Sequence, residues 1–354
     1  MAYAKSSDAG EETGEGGARS AVRYLDAGEG DGGQRLDNYL LRELKGLPKS
    51  HLYRLLRKGE VRVNGKRVKP EQRLAVGDRI RIPPLREPTT PVAVSRAPAA
   101  ALQQQVRDSI IYEDASLIAL NKPAGIAVHG GSGLAHGVIE TLRAMRPDER
   151  ELDLVHRLDR DTSGCLLVAR RRAALRDLHA QLREGQAEKR YLALLCGTWN
   201  LGQKRIDLPL ATSERRGGER HVAVRGHGAP AVSTFRPVQF FGNVATLVEV
   251  DLGTGKTHQI RVHAAYAGHP VAGDDKYGDR ERNAVLAGFG LRRMFLHAAS
   301  IGVTRPGTQE PLVISAPLPE DLKAVLAALE KGARGSSRRR SARAPRSPRG
   351  ATRR

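Results

Sequence analysis

Residues 155–169 read VHRLDRDTSGCLLVA, a run of charged and titratable side chains that leads directly into an apolar segment. Five charged or titratable groups lie within residues 156–161, and residues 165–169 have the composition of a buried strand. Because a buried charge is costly unless it is paired, such a cluster is more natural in the lining of a cleft than in a core. From these residues alone, a solvated loop with salt bridges is an equal alternative.

The chain is strongly basic. Its 354 residues suit about two domains, and 59 Lys and Arg against 39 Asp and Glu give a net charge of +20. Residues 331–354 contain ten of the basic residues and no acidic residue, yet +10 remains without them. A field of this sign attracts polyanions, so composition favours a nucleic acid partner. The alternative is that the charge only keeps the protein in solution.

Cysteine usage and hydropathy limit the compartment. Cys165 and Cys196 are the only cysteines and have no C-x-x-C spacing, which argues against a zinc site or a disulfide framework and fits a reducing compartment. Residues 1–20 lack the apolar core of a secretory signal, and no apolar run reaches the roughly 18 residues of a membrane helix. We therefore expect a cytoplasmic protein with no membrane contact.

Changes in composition divide the chain into segments. Residues 1–20 are rich in Gly, Glu and Ser and are predicted to be disordered, as is the basic tail at 331–354. Five prolines within residues 83–105 predict an extended linker. This linker separates a small basic module at 34–82 from a large domain at 106–328.

The small module carries clear local patterns. Apolar side chains at positions 36, 39, 40 and 44 fall on one face of a helix, and those at 52, 55 and 56 on one face of a second helix. Asn64 and Gly65 form a strong two-residue hairpin turn between alternating segments. Residues 79–82 alternate as a further strand.

This order of elements, with RLDNYLL, SHLYRLLRKGEVRVNGKRV and VGDRI, resembles the S4 RNA-binding domain over essentially the whole module. The resemblance implies that five basic side chains contact the RNA backbone, namely Lys49, Arg54, Arg57, Lys58 and Lys66. For any single one of them, an ordinary solvated charge is an equal alternative.

Several stretches of the large domain match one family in its own order. They are KPAG at 122–125, HRLDRDTSG at 156–164, EKRYLAL at 188–194, GTGKTHQIRVH at 253–263, and the later HPVAGDDKYG and FLHA. Together they resemble the RluA family of pseudouridine synthases. The resemblance implies an α+β protein in which the S4 module precedes a mixed-sheet catalytic domain. It also implies isomerisation of specific uridines to pseudouridine in large-subunit (23S) ribosomal RNA.

The same resemblance implies roles for individual residues. Asp159 matches the catalytic aspartate, and Tyr191 matches the tyrosine that packs on the target base. Arg261 matches the basic residue that pairs with the aspartate, and Arg157 the arginine that fills the gap left by a flipped nucleotide. Asp161 has no catalytic counterpart, and we expect it to brace the loop.

The implied chemistry fits these residue types. Pseudouridine formation breaks the N1–C1′ bond and joins C1′ to C5, so the base must leave the helix and rotate in a closed pocket. A carboxylate in a dry site acts as nucleophile or base, and an aromatic ring stacks on an extracted base. Whether the aspartate adds to the base, attacks C1′ or removes the C2′ proton stays open.

The isomerisation is redox-neutral, so we expect neither a metal nor an organic cofactor, and the eleven histidines show no zinc spacing. We interpret His156 and His258 as structural hydrogen-bonding residues. Ribosomal RNA is the expected partner, and no obligatory protein partner is evident.

The GTGKTHQIRVH motif departs from the family pattern. The family often has G-R-T where this chain has Gly255, Lys256 and Thr257, and Lys keeps the charge without the planar fork of Arg. If the partner of the aspartate were position 256, the geometry of the pair would be in doubt. The Gly-rich basic stretch at 213–230 predicts a mobile hairpin that pinches RNA or is a surface loop.

Two other functions are alternatives on the sequence. A phosphate-binding loop is suggested by GTGKT between a strand pattern and a predicted helix, but the full pattern requires glycine at position 250, where the chain has Val250. A non-enzymatic RNA-binding factor in ribosome assembly is the second alternative. The joint presence of Asp159, Tyr191 and Arg261 argues against it.

Overall fold

The computed structural model describes residues 22–44, 47, 49–85, 98–130, 136–216, 219–308 and 310–341. The chain divides into two compact units, Met1–Arg96 and Ala97–Arg354. The segment 1–20 and most of the predicted linker lie outside the described residues, as do residues 342–354. Among the helices of the described part, none is long and apolar enough to cross a membrane.

In its described part, the N-terminal unit combines two α-helices and a short 3-10 helix (Glu29–Asp31) with a four-stranded antiparallel sheet. In chain order its elements are β1 (Arg23–Asp26), α1 (Leu36–Glu43), α2 (Lys49–Lys58), β2 (Arg62–Val63), β3 (Lys66–Arg67) and β4 (Arg79–Ile82). The strands lie in the order β1-β4-β2-β3.

The local patterns of this unit are confirmed. The apolar side chains at positions 36, 39, 40, 44, 52, 55 and 56 are all buried in one core cluster. Asn64 and Gly65 have φ values of 49° and 78° between β2 and β3, as a type I′ turn requires. Strand β1 precedes the predicted start at residue 34 and pairs with β4. The sequence does not predict this strand, because its four residues, RYLD, show no clear alternation of apolar and polar side chains.

The C-terminal unit is built on a ten-stranded mixed sheet. Its strands are β5 (Ile110–Glu113), β6 (Leu117–Lys122), β7 (Asp153–Leu154), β8 (Ser163–Ala169), β9 (Glu188–Cys196), β10 (Lys204–Asp207), β13 (Val232–Phe241), β14 (Ala245–Leu252), β15 (Leu296–Thr304) and β16 (Pro311–Ser315). Strands β11 (Leu210–Arg216) and β12 (Glu219–Val224) form the hairpin predicted within 213–230.

The main path of the sheet runs β10-β13-β14-β9-β15-β8-β6-β5, with β16 on β15 and β7 on β8. Pairing is antiparallel except between β8 and β15. The helices of the unit are α3 (Ala100–Asp108), α4 (Val138–Met145), α5 (Arg172–Glu184), α6 (Gln259–Tyr266), α7 (Arg280–Ala287) and α8 (Glu320–Ser341). This is the mixed-sheet α+β architecture that the family resemblance implies, and it is confirmed.

The junction of β8 with β15 positions the signature loop, which is the part of the HRLDRDTSG motif before β8, residues 156–162. Every residue of β8 is buried, which confirms the strand predicted at 165–169 and extends it to residue 163. Gly164 has φ of 113°, and a Cβ there would lie 2.2 Å from the carbonyl oxygen of Ala298. Only glycine fits this contact, so the loop that leads into β8 enters the sheet at a fixed point.

Two segment boundaries need correction. Helix α3 begins inside the segment predicted as an extended linker at 83–105, because AALQQQVRD follows the last proline and consists mostly of good helix formers. Helix α8 continues past the predicted domain end at 328 and through the first part of the segment predicted as a disordered tail, to Ser341. Its Ala, Leu, Lys and Glu content supports helix, whereas the basic composition suggested a tail.

Candidate active site

A cavity of about 400 Å³ lies in the C-terminal unit. It is lined by the loop before β8, by helix α5, by strand β9 and by the segment 255–261 that leads into α6. The structure places four of the predicted site residues in this lining: Arg157, Asp159, Tyr191 and Arg261. Three motifs far apart in sequence therefore meet at one cavity.

The carboxylate of Asp159 meets Arg261 in this cavity. Arg261 Nη1 donates to Asp159 Oδ2 at 3.3 Å, and the two side chains are only 11% and 20% exposed. His258 Nε2 lies 3.8 Å from the same oxygen. Within the described residues no hydrogen-bond donor reaches Oδ1 of this carboxylate.

Arg261 is fixed on its other side by Asp274. Its Nε and Nη2 donate to the two oxygens of Asp274 at 2.7 and 2.8 Å, and the backbone amides of Lys276 and Tyr277 add two further hydrogen bonds. Burial pushes the pKa of Asp274 up, but Arg261 and the two amides bring it below its usual value. Asp274 lies within the HPVAGDDKYG motif, and no role is predicted for it from the sequence. Its position in a motif that matches the family is the sequence signal that could have found it.

Tyr277, also missed from the sequence, contacts both partners of Asp159. Its hydroxyl lies 2.8 Å from His258 Nδ1, and the Arg261 guanidinium lies 5.0 Å from the centre of its ring. The backbone N–H of Val222 in hairpin β11–β12 donates to the same hydroxyl at 3.0 Å. His258, interpreted from the sequence as a structural hydrogen-bonding residue, therefore has a hydrogen-bond partner in Tyr277. Its other ring nitrogen faces Asp159.

Tyr191 presents an aromatic ring to the cavity from strand β9. The side chain is largely buried, and in the sheet it lies opposite Val250 and Ala298. Burial raises the pKa of its hydroxyl, and the charge of Asp159 adds to the shift. The phenol is therefore neutral at physiological pH, and the residue forms part of the cavity lining.

His156 has a structural role, as the sequence interpretation held. Its Nε2 accepts a hydrogen bond from the backbone N–H of Leu167 at 3.1 Å. Burial lowers the pKa of His156 to about 4, and the charge of Lys189 contributes. A neutral imidazole in this position ties the start of the signature loop to strand β8.

The loop is braced by Lys122 of the KPAG motif. The side chain is fully buried, and its Nζ donates at 2.7, 2.9 and 3.0 Å to the carbonyl oxygens of Pro123, Ile126 and Arg160. Burial lowers the pKa of this ammonium to about 7, against the attraction of nearby carboxylates. Asp161, the predicted brace, instead pairs at 3.2 Å with the exposed side chain of Arg160.

Lys256 stands at the rim and does not replace Arg261. Its side chain is exposed, whereas Asp159 pairs with Arg261. The alternative of a phosphate-binding loop fails on position 250, because Val250 is fully buried inside β14. In the part of the chain that the structure describes, no group of three or more His, Cys, Asp or Glu is arranged to hold a metal ion.

In the N-terminal unit, helix α2 presents a basic face. Arg54, Arg57 and Lys58 are exposed at three- and four-residue spacing, while the leucines of the same helix are buried. Lys66 is exposed in β3, and the side chain of Lys49 lies outside the described part. Lys58 lies 3.8 Å from Glu60, and the other three described cations have no acidic partner among the residues that the structure describes.

Comparisons with known proteins agree with the fold of both units. The family model of RNA pseudouridylate synthase matches residues 116–266, and the S4 domain model matches residues 34–80. The fold is that of an RNA-modifying enzyme of this class. The chain belongs to the RNA pseudouridine synthase family.

Two relatives share about half of the sequence. Ribosomal large subunit pseudouridine synthase C of Pasteurella multocida (strain Pm70) is 51% identical over 314 residues, which are 88% of this chain and 95% of that protein. The protein of the same name from Escherichia coli (strain K12) is 53% identical over 302 residues, 84% of this chain and 93% of that protein. A non-enzymatic binding factor is therefore the wrong class for this chain.

A solved structure supports the fold. Human RNA pseudouridylate synthase domain containing 4 superimposes with a TM-score of 0.54 at 24% identity, over 65% of this chain and 96% of that chain.

Proposed function

We propose that this enzyme isomerises specific uridines of large-subunit ribosomal RNA, with Asp159 as the catalytic carboxylate in a cavity that takes a flipped nucleotide. The observation that carries the proposal is the Asp159–Arg261 pair, in which Arg261 donates to Oδ2 and Oδ1 has no donor among the described residues. The substrate class is supported by the names of relatives that are 51% and 53% identical.

The pair suits the chemistry of the reaction. Arg261 offsets the negative charge of the carboxylate and fixes its orientation, so Oδ1 is the oxygen placed to act on the sugar or the base. Because Asp274 holds Arg261 independently, the arrangement exists before the substrate arrives. Such preorganisation avoids rearrangement during the reaction.

Tyr191 and Arg157 serve the flipped nucleotide. Flipping costs a few kcal/mol, and stacking of a base on an aromatic ring returns about 1–3 kcal/mol. Tyr191 lies in the same cavity lining as Asp159, which supports a role in packing on the target base. Arg157 is exposed in that lining, which supports its entry into the gap in the RNA.

The basic face of α2 serves RNA docking. Arg54, Arg57 and Lys66 are exposed cations without an acidic partner among the described residues, so an RNA phosphate meets no competing carboxylate. Binding driven by phosphates releases counterions, so we expect affinity to fall steeply as salt rises. Affinity that stays flat between low and moderate salt would contradict this docking mode.

The test of the catalytic role is tritium release from large-subunit rRNA transcripts labelled at uridine C5. Asp159→Asn is compared with Asp161→Asn, a matched control in the same loop whose carboxylate is half-exposed and pairs with Arg160. We expect no release from Asp159→Asn with RNA binding retained, and near-normal release from Asp161→Asn. Release by Asp159→Asn would overturn the catalytic assignment. Wild-type release only from small-subunit or transfer RNA would overturn the substrate.

A further inference from the structure

We propose that Tyr277 and His258 form a hydrogen-bond relay that begins at hairpin β11–β12 and presents a neutral imidazole N–H to Oδ2 of Asp159. Both are then positioning residues for the isomerisation. The inference rests on the proposed catalytic role of Asp159 and deepens it.

The polarity of the relay follows from its first member. The backbone N–H of Val222 can only donate, so the Tyr277 oxygen accepts at 3.0 Å. The phenol keeps its own proton, and among the described residues its acceptor is His258 Nδ1 at 2.8 Å. An imidazole that accepts at Nδ1 carries its proton at Nε2. That nitrogen is the one 3.8 Å from Asp159 Oδ2.

The charges around the ring agree with a neutral imidazole. Burial lowers the pKa of His258, and the positive charges of Arg261 and Lys276 lower it further. The negative charge of Asp159 raises this pKa, and that of Asp274 raises it more weakly. The net shift is downward, so the ring is neutral near pH 7. A neutral imidazole carries one ring N–H proton, and the hydrogen bond from the Tyr277 hydroxyl to Nδ1 places that proton on Nε2.

The backbone of His258 points to the same role. Its φ of 54° is positive, a conformation that non-glycine residues rarely adopt and that clusters at functional sites. This conformation stands at the N-terminus of α6, beside Arg261 in the same helix. At 3.8 Å the contact with Asp159 is longer than a hydrogen bond, and catalytic contacts commonly tighten when substrate binds.

Hairpin β11–β12 is docked on Tyr277 by two consecutive residues. Val222 is 4% exposed in a small apolar cluster that Tyr277 packs against, and the ring of His221 lies 4.9 Å from the Tyr277 ring. If the hairpin leaves this position, the Val222 donor is lost and the Tyr277 proton is no longer directed to His258. The position of the hairpin is thereby coupled to the environment of Asp159.

Two substitutions of His258 separate the relay from a purely structural role. The amide nitrogen of Gln takes the place of Nε2 and keeps a donor towards Asp159, whereas Asn keeps only the Nδ1 side. Asn tolerates positive φ better than Gln does. A relay predicts that His258→Gln stays within about tenfold of wild type while His258→Asn loses about 100-fold in single-turnover rate at saturating RNA.

A role limited to the backbone turn predicts the opposite order, so a faster His258→Asn overturns the proposal. Both variants keep Asp159, and activity of Asp159→Asn would signal failure of the proposed function instead. The two failures are therefore distinguishable.

Tyr277→Phe tests the first half of the relay, because it keeps the ring beneath Arg261 and removes only the hydroxyl. Without that donor the pKa of His258 rises, and an imidazolium withdraws more charge from Asp159. We expect a roughly tenfold slower rate and an acidic limb of the pH–rate profile shifted to higher pH. In a His258→Gln background, Tyr277→Phe should add nothing. An unshifted profile, or an additive loss in that background, overturns the relay.

Discussion

Arg261 is held more closely by Asp274 than by Asp159. The two hydrogen bonds to Asp274 measure 2.7 and 2.8 Å, whereas the contact with Asp159 measures 3.3 Å. The Asp274 side chain is completely buried. The guanidinium is therefore oriented by a carboxylate that takes no part in the cavity lining, and the cavity carboxylate keeps one oxygen free.

This relationship predicts a large effect of Asp274→Asn on catalysis. Without the second carboxylate, Arg261 is free to turn and form a two-pronged pair with Asp159, which would occupy Oδ1. A misplacement of this size lowers rates by about 100-fold. Single-turnover tritium release measures it, with Asp275→Asn, exposed and adjacent, as the matched control. Near-normal turnover by Asp274→Asn would show that Arg261 needs no such support.

The same carboxylate predicts an acid-dependent stability. The folded-state pKa of Asp274 lies below its ordinary value of 3.8, so its contribution is fully present above pH 3.8 and is lost as pH falls through the folded-state pKa. We expect wild type to be more stable than Asp274→Asn at pH 6, with a smaller difference at pH 3. Denaturant unfolding at the two pH values measures it. A difference that is constant with pH would contradict the assignment.

The sequence predicted those parts of the site that a motif carries. Asp159, Tyr191 and Arg261 were named from separate stretches, and all three line one cavity. The two helices of the N-terminal unit were predicted from the spacing of their apolar residues, and the Asn64–Gly65 turn from its residue types. Both patterns depend only on residues that are close in sequence.

The supporting residues depend on contacts between distant segments and gave no local pattern. Lys122 ends a strand, and nothing in KPAG shows that its ammonium is buried against the carbonyl of Arg160. Tyr277 lies 55 positions from Val222 in the sequence, yet the backbone N–H of Val222 donates to its hydroxyl. Such roles appear only when the sheet brings the segments together.

Lys122→Met tests the brace of the signature loop. Methionine has similar length and no donor, so three carbonyl oxygens lose their hydrogen bonds. Each buried polar group left unpaired costs about 1–3 kcal/mol, and we expect lower unfolding free energy together with reduced turnover. Lys204→Met, at an exposed lysine of the same unit, is the control. Wild-type stability of Lys122→Met would show that the carbonyls find other donors.

Gly164→Ala tests whether the junction of β8 with β15 sets the position of Asp159. A Cβ at Gly164 would lie 2.2 Å from the Ala298 carbonyl oxygen and 2.6 Å from its nitrogen, both backbone atoms that cannot turn away. The strands must separate locally, and the loop that carries Asp159 moves with β8. We expect destabilisation of more than about 2 kcal/mol and a loss of turnover measured at a temperature where the variant remains folded.

Gly185→Ala is the matched control for that experiment. Gly185 also has positive φ, 75°, but a Cβ there meets nothing within 4 Å. It ends helix α5 in the left-handed conformation, so alanine costs only the conformational term, about 1 kcal/mol. Equal losses of stability and turnover in the two variants would mean that backbone conformation, and not the close approach of β8 to β15, accounts for the effect at Gly164.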